Sequence, residues 1–261
     1  MVTCQPLYTG YNMSMNYEFL GGNLALDFAN TVHSHGMVDP CDDLKTAADL
    51  VEWAAQAGLL RDREARQVGR ARDDEVRFRR AVALRELLYE IFSRAAQGKR
   101  PRREALQALQ GLYRNATRHA EFQVEANHYR LTWSAIDPLE RVSQEIIRSA
   151  ADLLTSEALT RVRQCSGETC SWLFVDSSRN GMRRWCDMQA CGNRAKSDAF
   201  AATSVELLER LLGAGDDLRK TALDLGIRTL ATSSLLSIRL HESDLDAGLT
   251  VISNGKSACR K

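Results

Sequence analysis

Four cysteines crowded into one stretch constrain this chain more than any other feature. Cys165, Cys170, Cys186 and Cys191 form two C-x4-C pairs separated by fifteen residues. In a chain that does not look secreted, such crowding favours metal over disulfides. Each short pair can bend its backbone and point two thiolates inward, and four thiolates at about 2.3 Å complete a tetrahedron around zinc. Such a site has no open position, so its zinc is expected to be structural rather than catalytic. Two disulfides or an iron–sulfur cluster are the alternatives that spacing leaves open. The remaining cysteines, Cys4, Cys41 and Cys259, are scattered and read as isolated thiols.

The other bulk properties are ordinary. The chain has 261 residues, 44% hydrophobic and 26% charged, with a net charge of +1. It is not a polybasic binder, so any attraction to nucleic acid must come from a local patch. No apolar run approaches the roughly 20 residues that span a bilayer. The start, MVTCQPLYTGYNMSMNYEF, has neither the basic nor the apolar region of a signal peptide. A cytoplasmic protein with no membrane partner is expected.

Residues 20–158 read as mostly helical, after a loose first nineteen. Gly21-Gly22 is a turn, and Asn23 is placed to cap a short helix carrying Leu24, Leu26, Phe28 and Ala29. Residues 33–42 read as a loop. A helix is predicted from Asp42 or Asp43 to Ala57, with Gly58 ending it. A short helix near 62–71 follows, then a long one over 73–96 with a stripe of Val76, Ala83, Leu84, Leu87, Leu88, Ile91 and Phe92. Another covers about 102–118, striped by Leu106, Leu109 and Leu112. The alternation in EFQVEANHYRLTW, residues 121–133, predicts a β-hairpin turning near Ala126 to His128. Asp137-Pro138 starts a further helix to about Leu154.

Between the cysteine pairs, Trp172 to Val175 suits a strand over the metal, and Asp176 to Gly181 a turn. The module has few apolar residues of its own. Metal would therefore supply much of its folding energy, on the order of 10 kcal/mol. The segment SRNGMRRWCDMQACGNRAK, Ser178 to Lys196, resembles the signature of the CGNR zinc-finger family, whose name is spelled by Cys191-Gly192-Asn193-Arg194. Upstream, LGGNLALDFANTV and DLKTAADLVEWAAQAGLL are similar to the ABATE domain that precedes such fingers. The resemblance covers roughly residues 18–200. It implies a soluble bacterial protein, a stress-linked transcriptional regulator or an RNA-binding zinc-ribbon protein, with Cys165, Cys170, Cys186 and Cys191 as zinc ligands. One departure stands out: nearly sixty residues follow the finger, where the family has a short basic tail. This extension holds one amphipathic helix, Val205 to Leu212, and is close to neutral.

The expected architecture is thus a mainly α domain with a small β-hairpin (α+β) at 18–158, a zinc-ribbon or treble-clef-like finger at 161–200, and an atypical C-terminal extension at 203–261. Residues 161–196 carry seven Arg or Lys against three acids, a net of +4. Guanidinium groups match phosphate oxygens, which makes Arg179, Arg183, Arg184, Arg194 and Lys196 candidate nucleic-acid contacts. Lys99 to Arg103 is a further basic run at a helix–helix loop. Trp172 and Trp185 are either stacking faces for bases or packing for the knuckle. Asp176 is placed to pair with a nearby arginine, and Asn193 to bond the knuckle backbone or a sulfur.

His33 and His35 lie in sequence near Asp27, Asp39 and Cys41, but H-x-H without a defined third ligand reads more simply as surface or satisfied histidines. With no phosphate-cradling glycine loop, G-x-S-x-G or H-E-x-x-H, no enzymatic activity is expected. The function expected is zinc-dependent nucleic-acid binding, DNA ahead of RNA, in transcriptional control. The alternatives are RNA binding, protein docking through a purely structural zinc, and ligand sensing by an N-terminal pocket containing Asn30 and His33.

Overall fold

The structure is a computed structural model that describes residues 16–35, 40–68, 74–133 and 137–200, together with the backbone of three strands in the C-terminal extension. The chain divides into two compact units. The first comprises residues 1–165 and 170–186, the second 166–169 and 187–261. Cys4, Asp39, Cys259 and the helix expected at Val205 to Leu212 lie outside the described residues.

In the first unit a short central helix, α1 (Leu24–Ala29), is buried on nearly every side. Asn23 caps it, its side chain accepting from the Ala25 N–H at 2.9 Å. Helix α1 packs against α4 (Asp74–Ala96) and α6 (Pro138–Thr155); α2 (Ala47–Gln56) lies on α4, α3 (Asp62–Gln67) on α2, and α5 (Arg103–Thr117) on α4 and α6. Phe28 and Trp53 meet with ring centroids 5.0 Å apart. Leu26, Leu50, Leu88, Ile91, Phe92, Leu139 and Ile146 complete a core from which water is excluded.

Local chemistry sets the boundaries. Helix α2 begins at Ala47, several residues after the predicted start. Thr46 and Asp49 form a capping box there, while Asp42 is engaged elsewhere. Gly58 follows α2 in the left-handed region, at φ +75°. Asp137 caps α6, accepting from the Leu139 N–H at 2.9 Å, with Pro138 in the first turn. The predicted stripes need correction. Val76, Ala83 and Leu112 are exposed, and the buried positions of α5 are Ala105, Leu109 and Ala116.

Residues 33–42 are not all loop. Val32–His33 (β1) and Cys41–Asp42 (β2) pair antiparallel at its ends. Two-residue strands carry no period a sequence can show. Asp42 then receives a bidentate ion pair from the buried Arg85 of α4, with both contacts at 2.7 Å.

The hairpin expected at 121–133 is present as β3 (Glu121–Glu125) and β4 (His128–Thr132), with Ala126 in its turn at φ 42°. Its apolar face, with Phe122, Val124 and Tyr129, is exposed. Its foot is fixed by Trp133, whose indole N–H donates to the Ala116 carbonyl at 2.8 Å.

Asp27 is the polar anomaly of α1. Its carboxylate is buried and accepts the Gly21 N–H at 2.7 Å. A Cβ on Gly21 would lie 2.9 Å from Leu26 Cβ and 3.0 Å from that carboxylate, so glycine permits the approach. Burial raises the Asp27 pKa to about 6.

The second unit contains a π-helical turn, Met188–Gly192, continued by helix over 193–200. In the extension, β7 (Thr229–Thr232), β8 (Leu236–Arg239) and β9 (Ile252–Ser253) form an antiparallel sheet in the order β7-β8-β9. Among the described residues no helix is long and apolar enough to cross a membrane.

Candidate metal centre

The first cysteine pair is carried by a hairpin of β5 (Val162–Gln164) and β6 (Leu173–Val175). Val162 pairs with Val175 and Gln164 with Leu173, and the Cys165 N–H extends the ladder to the Trp172 carbonyl at 2.8 Å. The hairpin's mouth therefore holds Cys165 and Cys170 at its two corners. The outer edge of β6 is closed by something other than a third strand. The Asn30 side chain accepts from the Leu173 N–H at 2.7 Å and donates to the Leu173 carbonyl at 2.8 Å. One step along, the Gly21 carbonyl accepts the Val175 N–H at 2.8 Å. A side-chain amide thus does what a strand backbone would do, and α1 closes the edge of β6.

After β6 the chain turns around Asp176, which is fully buried. Its carboxylate accepts from the N–H groups of Ser178 and Arg183, both at 2.9 Å, and from the Ser178 hydroxyl. Burial alone would raise its pKa. The bonds from Ser178 and Arg183, with the charge of Arg161, instead hold it below the usual carboxylate range. The turn returns the chain to Cys186, whose N–H points at Cys165 Sγ, 3.4 Å away.

Arg183 belongs to this scaffold. Its guanidinium lies over the Phe174 ring at 4.5 Å and donates to the carbonyls of Trp185 and Cys186. Trp172 is buried, its ring centroid 4.9 Å from that of His33, so it packs the knuckle and offers no stacking face. Beyond Cys186, Asp187 caps the π-helical turn through the Gln189 and Ala190 N–H groups, and that turn presents Cys191.

The Sγ atoms of Cys165, Cys170, Cys186 and Cys191 all lie within 4.8 Å of one another. Those of Cys170 and Cys186 are 3.7 Å apart. A tetrahedron of sulfurs about 2.3 Å from zinc has an edge of about 3.8 Å, so the donor set and its spacing fit the ion. Among the described residues the cysteines form no disulfide. Hydrogen bonding with Cys165, followed by burial among neighbouring sulfurs, pushes the thiols of Cys170 and Cys186 well above their ordinary value. Such a cluster is stable as thiolates only around a cation, which must displace the protons on entry.

The other candidate residues fall into three groups. Arg179, Arg184, Arg194 and Lys196 are exposed, and among the described residues none of them pairs with a carboxylate. Arg194 donates to the Thr169 hydroxyl at 3.0 Å, and Arg184 lies 5.1 Å from the Trp185 ring. Asn193 is exposed, and its backbone N–H bonds the turn through the Ala190 and Met188 carbonyls. Asn30 is 2% exposed and its amide is fully used on Leu173. His33 pairs with Asp43 at 2.9 Å, and His35 with Glu86 at 3.2 Å. Sequence reading misses Gln164, Ser171 and Tyr89, which surround the cysteine pair. Their types are unremarkable, and Tyr89 is 75 and 82 residues from the other two.

A helical domain whose short helix α1 closes the edge of the hairpin carrying the first of two clustered cysteine pairs defines a zinc-finger protein with a metal site of structural type. The ABATE family, described as "Putative stress-induced transcription regulator", matches residues 22–157, and the CGNR zinc finger matches residues 161–203. The chain belongs to the ABATE family and carries a CGNR zinc finger. No curated protein matches it.

Proposed function

We propose that this chain is a zinc-dependent nucleic-acid-binding regulator, with duplex DNA as its target and cytoplasm as its location. The observation that carries this reading is that the cations near the cysteines in sequence, Arg179 and Arg184 in the first unit and Arg194 and Lys196 in the second, are exposed, with none neutralised by a carboxylate among the described residues. The acid nearest in sequence to Arg179, Asp176, is buried and consumed by its own turn. Exposed guanidiniums on a turn pinned by metal present forked donors to phosphate oxygens with little ordering cost. Arg183 supports them by fixing the turn and takes no direct part. The zinc holds the fold, and no catalytic role is assigned to any residue.

Fluorescence anisotropy of the zinc-loaded protein with labelled duplex DNA and with single-stranded RNA, across a salt series, tests this. Binding should weaken steeply with salt. The Arg179→Ala/Arg184→Ala variant should bind more weakly, with the salt slope reduced by about one per lost phosphate contact. Tighter binding of the RNA would change the target from DNA to RNA. Absence of binding to either at low salt would refute the reading and leave the zinc module a structural or protein-docking element.

A further inference from the structure

We infer that Tyr89, on helix α4 of the N-terminal domain, is a positioning residue for the metal site. Its phenol bridges the two flanks of the first cysteine pair. The hydroxyl donates to the Ser171 carbonyl at 3.2 Å and accepts from the Gln164 side-chain amide at 3.0 Å. Gln164 immediately precedes Cys165, and Ser171 immediately follows Cys170. One atom on α4 therefore spans the mouth of the C-x4-C loop, beside the Cys165–Trp172 rung that closes it from within.

The phenol is itself held in place. His35 stacks on the Tyr89 ring, with centroids 3.6 Å apart and planes within 10°. The His35 backbone N–H donates to the Ser171 hydroxyl at 2.6 Å, and the His35 ring pairs with Glu86 on the preceding turn of α4. Glu86 is tied in turn to the buried Arg85 at 3.0 Å. Ser171 thus receives one donor on its carbonyl and another on its hydroxyl, and it is 4% exposed. A residue adjoining a metal ligand and fixed at both polar groups leaves that ligand little freedom, and a site ordered before the ion arrives has less entropy to lose on binding. Outer-shell partners of metal ligands commonly carry 10- to 100-fold of metal affinity. Zinc affinity is accordingly a property of α4 as well as of the four cysteines. The inference is independent of any nucleic-acid partner.

The test compares the full-length protein with Tyr89→Phe, which keeps the ring on His35 and removes only the bridging hydroxyl. Zinc dissociation constants come from competition with a chromophoric chelator. Circular dichroism and urea unfolding of the zinc-stripped proteins report the helical domain separately, and cobalt absorption reports the ligand set. The expected result is a zinc dissociation constant raised about 10- to 100-fold, with the zinc-stripped helical signal retained and the four-sulfur cobalt spectrum at saturation unchanged. Gln164→Met should weaken zinc in the same direction, and the double variant should be no weaker than Tyr89→Phe alone, since both remove one bridge. Zinc affinity within twofold of the wild type in Tyr89→Phe would overturn the assignment. Should that variant lose its helical signal, unchanged zinc affinity in Gln164→Met would overturn it equally.

Discussion

Replacing Asp27 with asparagine should stabilise this protein at neutral pH and leave it unchanged in acid. Asp27 is 8% exposed, and its carboxylate has one backbone donor, the Gly21 N–H. Burial raises its pKa from 3.8 to about 6, and the single hydrogen bond only partly offsets that. A shift of about two units corresponds to about 3 kcal/mol, and burial this deep calls for little discount for solvent screening. The sign follows from proton binding. The folded chain holds the Asp27 proton more tightly than the unfolded chain, so it is favoured while the group is neutral. That advantage is complete below the ordinary carboxylate range and is lost as pH rises through about 6. Asparagine is neutral throughout and keeps an oxygen for Gly21. The stability difference between Asp27→Asn and wild type should therefore be small at pH 4 and widen by about 2 kcal/mol by pH 7.5. Paired urea unfolding curves at each pH measure it, and groups shared by both proteins cancel in the difference. Asp176, which titrates in the opposite sense, is one of these. A difference that stays flat across this range would refute the reasoning.

Three other perturbations have defined outcomes. Asn30→Ala strips the Leu173 N–H and carbonyl of their buried partners and should cost about 2–4 kcal/mol in denaturant unfolding. Arg85→Met removes the bidentate partner of the partly exposed Asp42 carboxylate and should cost about 1–3 kcal/mol in the same assay. Zinc affinity, measured by chelator competition, should fall as pH is lowered from neutral, because thiols with raised pKa values must be deprotonated to bind and acid returns their protons.

Much of this architecture was legible from sequence because it is written in local chemistry. Asn23 and Asp137-Pro138 announce helix starts, the alternation at 121–133 announces a hairpin, and the paired cysteines announce the metal centre. What was illegible is held by contacts between residues distant in the chain. Asn30 looked like pocket lining because nothing near it in sequence needs its amide; its partner, Leu173, is 143 residues away. Arg183 and Arg184 are neighbours of the same type, and only the fold shows one guanidinium turned onto Phe174 and the other onto Trp185. The late start of α2 has the same origin, since Asp42 is drawn to Arg85 on another helix and Thr46 takes the cap.

The join between α6 and the cysteine hairpin has a consequence for how such a protein can diversify. Helix α6 ends at Thr155 and β5 begins at Val162, with little more than the single 3₁₀ turn Glu157–Arg161 between them. An insertion there has no slack to absorb it and would pull Leu173 and Val175 away from Asn30 and Gly21. A finger grafted onto a foreign host would arrive with the outer edge of β6 uncovered, and the domain left behind would carry an amide with nothing to hold. Helical domain and finger therefore depend on each other for the closure of β6.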